Sequence, residues 1–309
     1  MKFQNLFKQF SGEPINYEFP KTFEYNKTCH CDGFDCEYYL QSNGIRPDGT
    51  ITYQKVIMTV PTGKKDKLPA VVVPFYYPEA ALGFDPATGE ELPSYIENPV
   101  MAKLAKRGFV TISAQSYHLT YAEYNKEKTC QGNVDFDRWA YIGSVFNSEH
   151  PEWSGVGKLV ADTRLLIDVL ENDERVDKDR IGIMGHSLGG KMAFYTGCTD
   201  ERIKVIVSSD FGLLWDSTNW SDPWYWGDKL QAVRDSGLTN ELLLNDVAPK
   251  PFCLIAGETD NDKSRELLYG LSAYENYPER ILVVDHRSGH RPPAYALDAG
   301  IGFMEHWLG

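Results

Sequence analysis

Long apolar runs are the first thing this 309-residue chain lacks. No stretch approaches the ~18 consecutive apolar residues of a membrane-spanning helix. Residues 1–20 are interrupted at Gln4, Asn5, Lys8 and Gln9, so no signal-peptide core is expected either. Positive charge is also short, with 31 Lys and Arg against 44 Asp and Glu for a net charge of −13. Phosphate backbones and anionic membrane surfaces attract the opposite balance, so neither nucleic acid nor membrane is an expected partner. Cysteine is sparse. Cys29, Cys31, Cys36, Cys130, Cys198 and Cys253 are too scattered for a disulfide scaffold and are expected as free thiols in a cytoplasmic protein. The Cys29-His30-Cys31 and Cys36 group has the ligand chemistry of zinc, but C-x-C is not the usual knuckle spacing and no second ligand pair adjoins it, so no metal is expected. Linkers, charge blocks and repeats are missing too, which points to one domain over residues 1–309.

What is present is the make-up of a globular protein, 42% hydrophobic and 24% charged. From residue 70 onward, short β-branched runs alternate with helical patterns, the mark of βα units around a mostly parallel sheet with helices on both faces. Strands are expected at residues 70–73, 109–112, 181–184, 205–207, 252–255 and 281–284. Helices are expected at 99–107, 155–172 and 294–307. Residues 1–65 differ: 37–41 and 51–60, separated by the turn signal Arg46-Pro47-Asp48-Gly49, read as antiparallel strands at one sheet edge.

The chemistry concentrates at Gly185-His186-Ser187-Leu188-Gly189, a G-x-S-x-G directly after an apolar strand and directly before a helical run. A sharp strand-to-helix turn presents the serine hydroxyl above the sheet, and the helix N-terminus adds N–H groups near a developing oxyanion. Chance serines do occur in glycine-rich turns, but the flanking strand and helix argue against that here. A dinucleotide site is disfavoured because G-x-G-x-x-G is absent.

A serine hydroxyl needs a base, and the base needs an acid, in the chain order Ser, acid, His. Asp260 follows the strand at 252–255, and His290 follows the strand at 281–284, so both loops leave the same sheet edge as Ser187. Glu258, Asp262 and Asp210 are rival acids. His286 is the rival base, and His186, beside the nucleophile, reads as a packing residue.

The stretch from residue 69 to the C-terminus resembles the α/β-hydrolase superfamily, in its dienelactone-hydrolase and acetyl-xylan-esterase-like branch. The resemblance rests on residues 176–191, Asp200-Glu201-Arg202-Ile203, the 257–260 loop and Gly289-His290-Arg291-Pro292-Pro293. It implies Ser187 as nucleophile, His290 as base and Asp260 as acid, with no cofactor. Many relatives carry His-Gly after the third strand, where a backbone N–H completes the oxyanion hole. Here Pro74-Phe75-Tyr76-Tyr77-Pro78 stands instead, so Tyr76, with Tyr77 as alternate, is expected to donate beside Leu188.

Residues 210–250 form an insert in a cap-like position and carry four of the seven tryptophans, Trp215, Trp220, Trp224 and Trp226. Their rings suit either substrate stacking, together with Tyr77, or packing on the sheet edge. The expected activity is serine carboxylic-ester hydrolysis of a small-molecule or oligosaccharide ester, with a neutral acetyl ester first. A glucuronoyl esterase, a lactone or dienelactone hydrolase and a peptidase are the enzymatic rivals. A silent binding protein of the same fold is the non-enzymatic one.

Overall fold

The computed structural model describes residues 3–12, 18–92, 99–123 and 135–309; Cys130 lies outside them. Among the described residues there are nine strands: β1 (Phe23–Cys31), β2 (Phe34–Ile45), β3 (Ile51–Pro61), β4 (Leu68–Val72), β5 (Val110–Ala114), β6 (Val176–His186), β7 (Ile203–Ser209), β8 (Phe252–Ala256) and β9 (Ile281–Asp285). They form one sheet in the order β1-β2-β3-β5-β4-β6-β7-β8-β9. β1, β2 and β3 are antiparallel, as is the β3–β5 pair, and every pair from β5 through β9 is parallel.

Burial explains the strand sequences. β3 alternates at its start, Ile51 to Val56, as a strand with one covered face does, whereas β5 and β8 are buried at every position because helices cover both faces. One face carries α1 (Phe3–Ser11), α4 (Phe136–Glu149), α5 (Gly155–Asn172), α6 (Leu188–Thr199) and the aromatic insert. The other carries α2 (Pro78–Leu82), α3 (Val100–Lys106) and α10 (Ala294–Leu308). The remaining helices are α7 (Leu230–Asp235) and α8 (Asn240–Asn245), both inside the insert, and α9 (Asp262–Tyr269), which follows β8.

Local signals set the helix ends. Ser154 caps α5 by accepting the Gly157 N–H at 3.1 Å, and Asp135 caps α4 by accepting that of Arg138 at 3.0 Å. Gly108 adopts φ 95° after α3, which lets the chain reverse into β5. A buried polar tie joins α5 to β2: the Lys158 ammonium donates to the Asn43 carbonyl at 2.5 Å and pairs with Asp162, which also accepts from the Asn43 amide. Removing one member of such a pair leaves an uncompensated buried charge.

Several elements lie outside the sequence expectation, among them helices α1, α4 and α9, strand β1 and the first half of β6. β1 is not among the expected strands although Phe23, Tyr25, Cys29 and Cys31 alternate with polar residues: Lys27 interrupts the pattern, and the strand is a mostly exposed edge held by pairing with β2, with a bulge between Tyr25 and Lys27. β6 starts five residues before the expected strand, at Val176, which pairs with Leu68 of β4; the polar residues between Val176 and Ile181 form an irregularity in that pairing and carry no strand pattern of their own.

Candidate active site

The strand ends β4, β6, β7, β8 and β9 open on one edge of the sheet, and the polar residues of interest lie in the loops that leave them. Ser187 follows β6 with φ 55° and ψ −117°, a conformation that costs a non-glycine residue roughly 1–3 kcal/mol. The neighbouring glycines are required by close approach. A Cβ on Gly185 would lie 2.1 Å from the Gly189 carbonyl oxygen, and one on Gly189 would lie 2.0 Å from that of Pro74. The Ser187 N–H donates to the Ser209 carbonyl at 2.8 Å, which pins the turn to β7.

His290 reaches this serine from the loop after β9. Its Nε2 lies 2.9 Å from Ser187 Oγ, and its Nδ1 lies 2.5 Å from Asp210 Oδ2. Burial alone would raise the Asp210 carboxyl, but the His290 bond and the Asp260 backbone N–H outweigh it and bring its pKa to about 2. An ionised carboxylate only accepts, so Nδ1 carries the ring proton. Nε2 then offers a lone pair to the serine hydroxyl.

The carboxylate beside the imidazole is therefore not the expected one. Asp260 does not touch His290; it is fully buried, its Oδ2 accepts from the N–H groups of Phe211 and Gly212, and its Oδ1 accepts from the Leu213 N–H and the Ser264 hydroxyl. Asp210, named in the sequence only as a rival, occupies the position beside the imidazole. It stands at the end of β7 with φ 43°, so its side chain leaves the sheet edge toward the β9 loop. Of the other rivals, Asp262 pairs with Arg265 and Arg287 at the surface, and Glu258 makes no contact with His290.

The alternative bases fall away on geometry. His186 is buried, with its Nδ1 3.0 Å from Ser209 Oγ and its ring 4.7 Å from that of His290; burial, and next the His290 charge, lower its pKa to about 3. His286 bonds Ser288 Oγ through Nδ1 at 2.7 Å. One residue not singled out beforehand is Lys191, on α6 one turn past Ser187. Its ammonium is buried 4.9 Å from the Trp220 ring and 4.8 Å from the Tyr225 ring, and burial lowers its pKa to about 8 against the pull of Asp260, Asp222 and Asp210. Its position four residues after the serine of the G-x-S-x-G turn is the signal that was available in the sequence.

The β4 exit supplies the facing wall. The Phe75 carbonyl accepts the Ser116 hydroxyl at 2.9 Å and the Tyr76 carbonyl accepts the Ser116 N–H at 3.1 Å. In a trans peptide the N–H opposes the preceding C=O, so the Tyr76 N–H is turned away from Ser116. Leu188 is the first residue of α6, where N–H groups have no intrahelical partner. Tyr77 is half-buried just ahead of α2.

The tryptophans divide. Trp220, Trp224 and Trp226 are at most 2% exposed and belong to the core, so the expectation that they face substrate is corrected: their rings pack on Tyr195, His118, Trp139 and Phe7. Trp215 is half-buried, its indole N–H donating to the Leu238 carbonyl. Among the described residues no group of three His, Cys, Asp or Glu side chains is arranged to hold a metal ion. The Cys31 and Cys36 sulfurs lie 3.8 Å apart as free thiols.

The dienelactone hydrolase family model matches residues 59–219, just over half of the chain. The chain belongs to the dienelactone hydrolase family. This places it among hydrolases with an α/β-hydrolase fold. A Bacillus subtilis (strain 168) protein described as "Putative hydrolase YtaP" is 27% identical to this family member over 165 residues, which is 49% of this chain and 54% of that protein; the match thus spans about half the length of the relative. Among solved structures, a glucuronoyl esterase from Solibacter usitatus is similar with a TM-score of 0.69 at 14% identity, over 99% of this chain and 91% of that one. A CE15 glucuronoyl esterase from Teredinibacter turnerae T7901 gives 0.71 at 17% identity, over 99% and 83%. An acetyl xylan esterase from Paenibacillus sp. R4 gives 0.60 at 15% identity, over 99% of each chain. At such identities these structures establish the shared fold. No helix among the described residues is long and apolar enough to cross a membrane.

Proposed function

We propose that this dienelactone hydrolase family member is a serine carboxylic-ester hydrolase working through an acyl-enzyme, with Ser187 as nucleophile, His290 as base and Asp210 as acid. The relay of Ser187 Oγ, His290 Nε2 at 2.9 Å, and His290 Nδ1 to Asp210 Oδ2 at 2.5 Å carries this reading. His290 takes the serine proton as Oγ attacks the ester carbonyl carbon, and Asp210 balances the imidazolium that forms. The N–H groups of Leu188 and Tyr76 receive the oxyanion. His290 returns its proton to the departing alcohol, and water, activated by the same ring, releases the acid and restores Ser187.

The substrate class is a small neutral or carbohydrate ester, with acetyl esters first. The acetyl xylan esterase among the structural neighbours supports it, and half-buried Tyr77 and Trp215 are the aromatic side chains proposed to meet the substrate. A second reading, an ester of a sugar acid, is favoured by one observation: the buried Lys191 ammonium has no carboxylate within ion-pair distance among the described residues. Turnover of acetyl, butyryl and feruloyl esters, acetylated xylo-oligosaccharides and methyl glucuronate separates the two. Dominant hydrolysis of the acetylated compounds is expected, and exclusive hydrolysis of methyl glucuronate overturns that substrate class. Labelling by a fluorophosphonate probe, lost in Ser187→Ala and His290→Ala, tests the reaction class itself.

A further inference from the structure

Two buried aspartates end up within one network, and only one of them touches the histidine. Asp210 spends Oδ2 on His290, while its Oδ1 accepts from the N–H groups of Gly257, Thr259 and Asp260 and from the Thr259 hydroxyl, at 2.8–3.2 Å. Asp260 accepts in return from Phe211, Gly212 and Leu213, the three residues that follow Asp210, at 2.7–3.0 Å. Each carboxylate therefore binds the backbone of the segment that carries the other. β7 and β8 already pair in parallel beneath this clasp, and the Asp210 N–H donates to the Ile255 carbonyl at 2.8 Å.

The arrangement explains why Asp210 can hold φ 43°. Three consecutive N–H groups converge on one anion only when the backbone curls around it, and here Gly212 at φ 84° completes the curl. Without the anion, three buried donors lose their acceptor and the strained Asp210 backbone loses its support, so its carboxylate swings away from His290. We propose that Asp260 is a positioning residue: its carboxylate gathers the Phe211, Gly212 and Leu213 N–H groups and so holds the Asp210 carboxylate against His290. The proposal rests on the serine-hydrolase reading, in which Asp210 is the acid. Asparagine is the informative replacement, because its NH2 faces N–H donors where an oxygen stood.

The test is a double-mutant cycle on p-nitrophenyl acetate with Asp210→Asn, Asp260→Asn and both together, alongside the low-field proton resonance of His290 Nδ1. Asp210→Asn is expected to lower kcat by about 10³–10⁴-fold. Asp260→Asn is expected to lower kcat by roughly 10²-fold with KM within about threefold, and to move the low-field proton upfield. In the Asp210→Asn background the second substitution is expected to cost less than about threefold, because its target is already gone. Multiplicative losses in the double variant, or wild-type kcat in Asp260→Asn, overturn the proposal. So does a larger loss in Asp260→Asn than in Asp210→Asn, which makes Asp260 the acid itself. Should Asp260→Asn fail to fold, Ser264→Ala removes one of the four bonds to Asp260; a kcat lowered about threefold with a shifted proton supports the clasp, and no change in either overturns it. Failure of the underlying reading looks different: Ser187→Ala would then keep its turnover while the His290 proton still responded to Asp260→Asn.

Discussion

The strand-exit edge and the aromatic layer beneath it are built on opposite terms. At the edge, Ser187 and Asp210 hold positive φ values, yet their side chains and those of His290 and Asp260 all find partners. In the aromatic layer the packing is dense, but polar atoms are stranded: among the described residues both ring nitrogens of fully buried His118 have no hydrogen-bond partner. His118 sits against the rings of Tyr76, Tyr117, Trp139 and Trp224, and burial drives its pKa down to about 3. Strain is thus concentrated where groups must point at one another, and desolvation cost where rings must fill space. The edge is specified by directed bonds, and the layer by volume.

Substitutions can break that contrast. The largest effect is expected from Ser187→Ala, which should lower turnover of p-nitrophenyl acetate by about 10⁴-fold or more and leave the melting temperature unchanged or raised, since the strained turn keeps its glycines. Retained turnover would place the chemistry elsewhere. Asp210→Asn comes next, with the loss of about 10³–10⁴-fold in kcat already set out, and steady-state kinetics over pH 5–9 should show it throughout. Trp226→Ala should do the reverse of both. Truncating this ring, which packs on Phe7 and Tyr195, is expected to cost about 3–5 kcal/mol in urea unfolding while kcat per folded molecule stays within about threefold. A selective loss of kcat would show that the layer takes part in the reaction.

The smallest effect sharpens the comparison through pH. A histidine whose folded pKa is depressed binds its proton in the unfolded chain first, so the stability it supports is whole above pH 6.5 and drains as pH falls toward about 3. His118→Phe removes that dependence. Measured by urea unfolding, the variant should lose about 2 kcal/mol less than the parent between pH 7 and pH 5. Identical losses would mean that the imidazole has a partner that accepts its charge.

The Ser187 turn was legible because its constraints are local. Strand, glycine, serine, glycine and helix are consecutive, and the 2.0–2.1 Å approaches at Gly185 and Gly189 allow nothing larger. His290 was legible for a related reason, as it lies a few residues past a plain apolar strand. The acid was not. Asp210 and Asp260 each follow a buried strand on the same edge, and their sequences do not say which backbone curls toward which carboxylate. The tryptophans were equally ambiguous, since a ring that stacks on a substrate and a ring that fills a core have the same composition. β1 was not legible because Lys27 interrupts the alternation of Phe23, Tyr25, Cys29 and Cys31, and an edge strand held by backbone pairing needs no buried face.

The sequence by itself determined the parallel βα core, the strained serine turn and the order of serine and histidine along the chain, because each follows from periodicity or sterics within a few residues. Only the tertiary structure decided which aspartate meets His290, that the other binds the loop carrying the first, and that three tryptophans are interior. The two aspartate outcomes depend on hydrogen bonds spanning about fifty residues between Asp210 and Asp260 and eighty between Asp210 and His290, and the tryptophans on packing against distant rings such as Phe7 and Trp139; contacts at that separation leave no trace in local pattern.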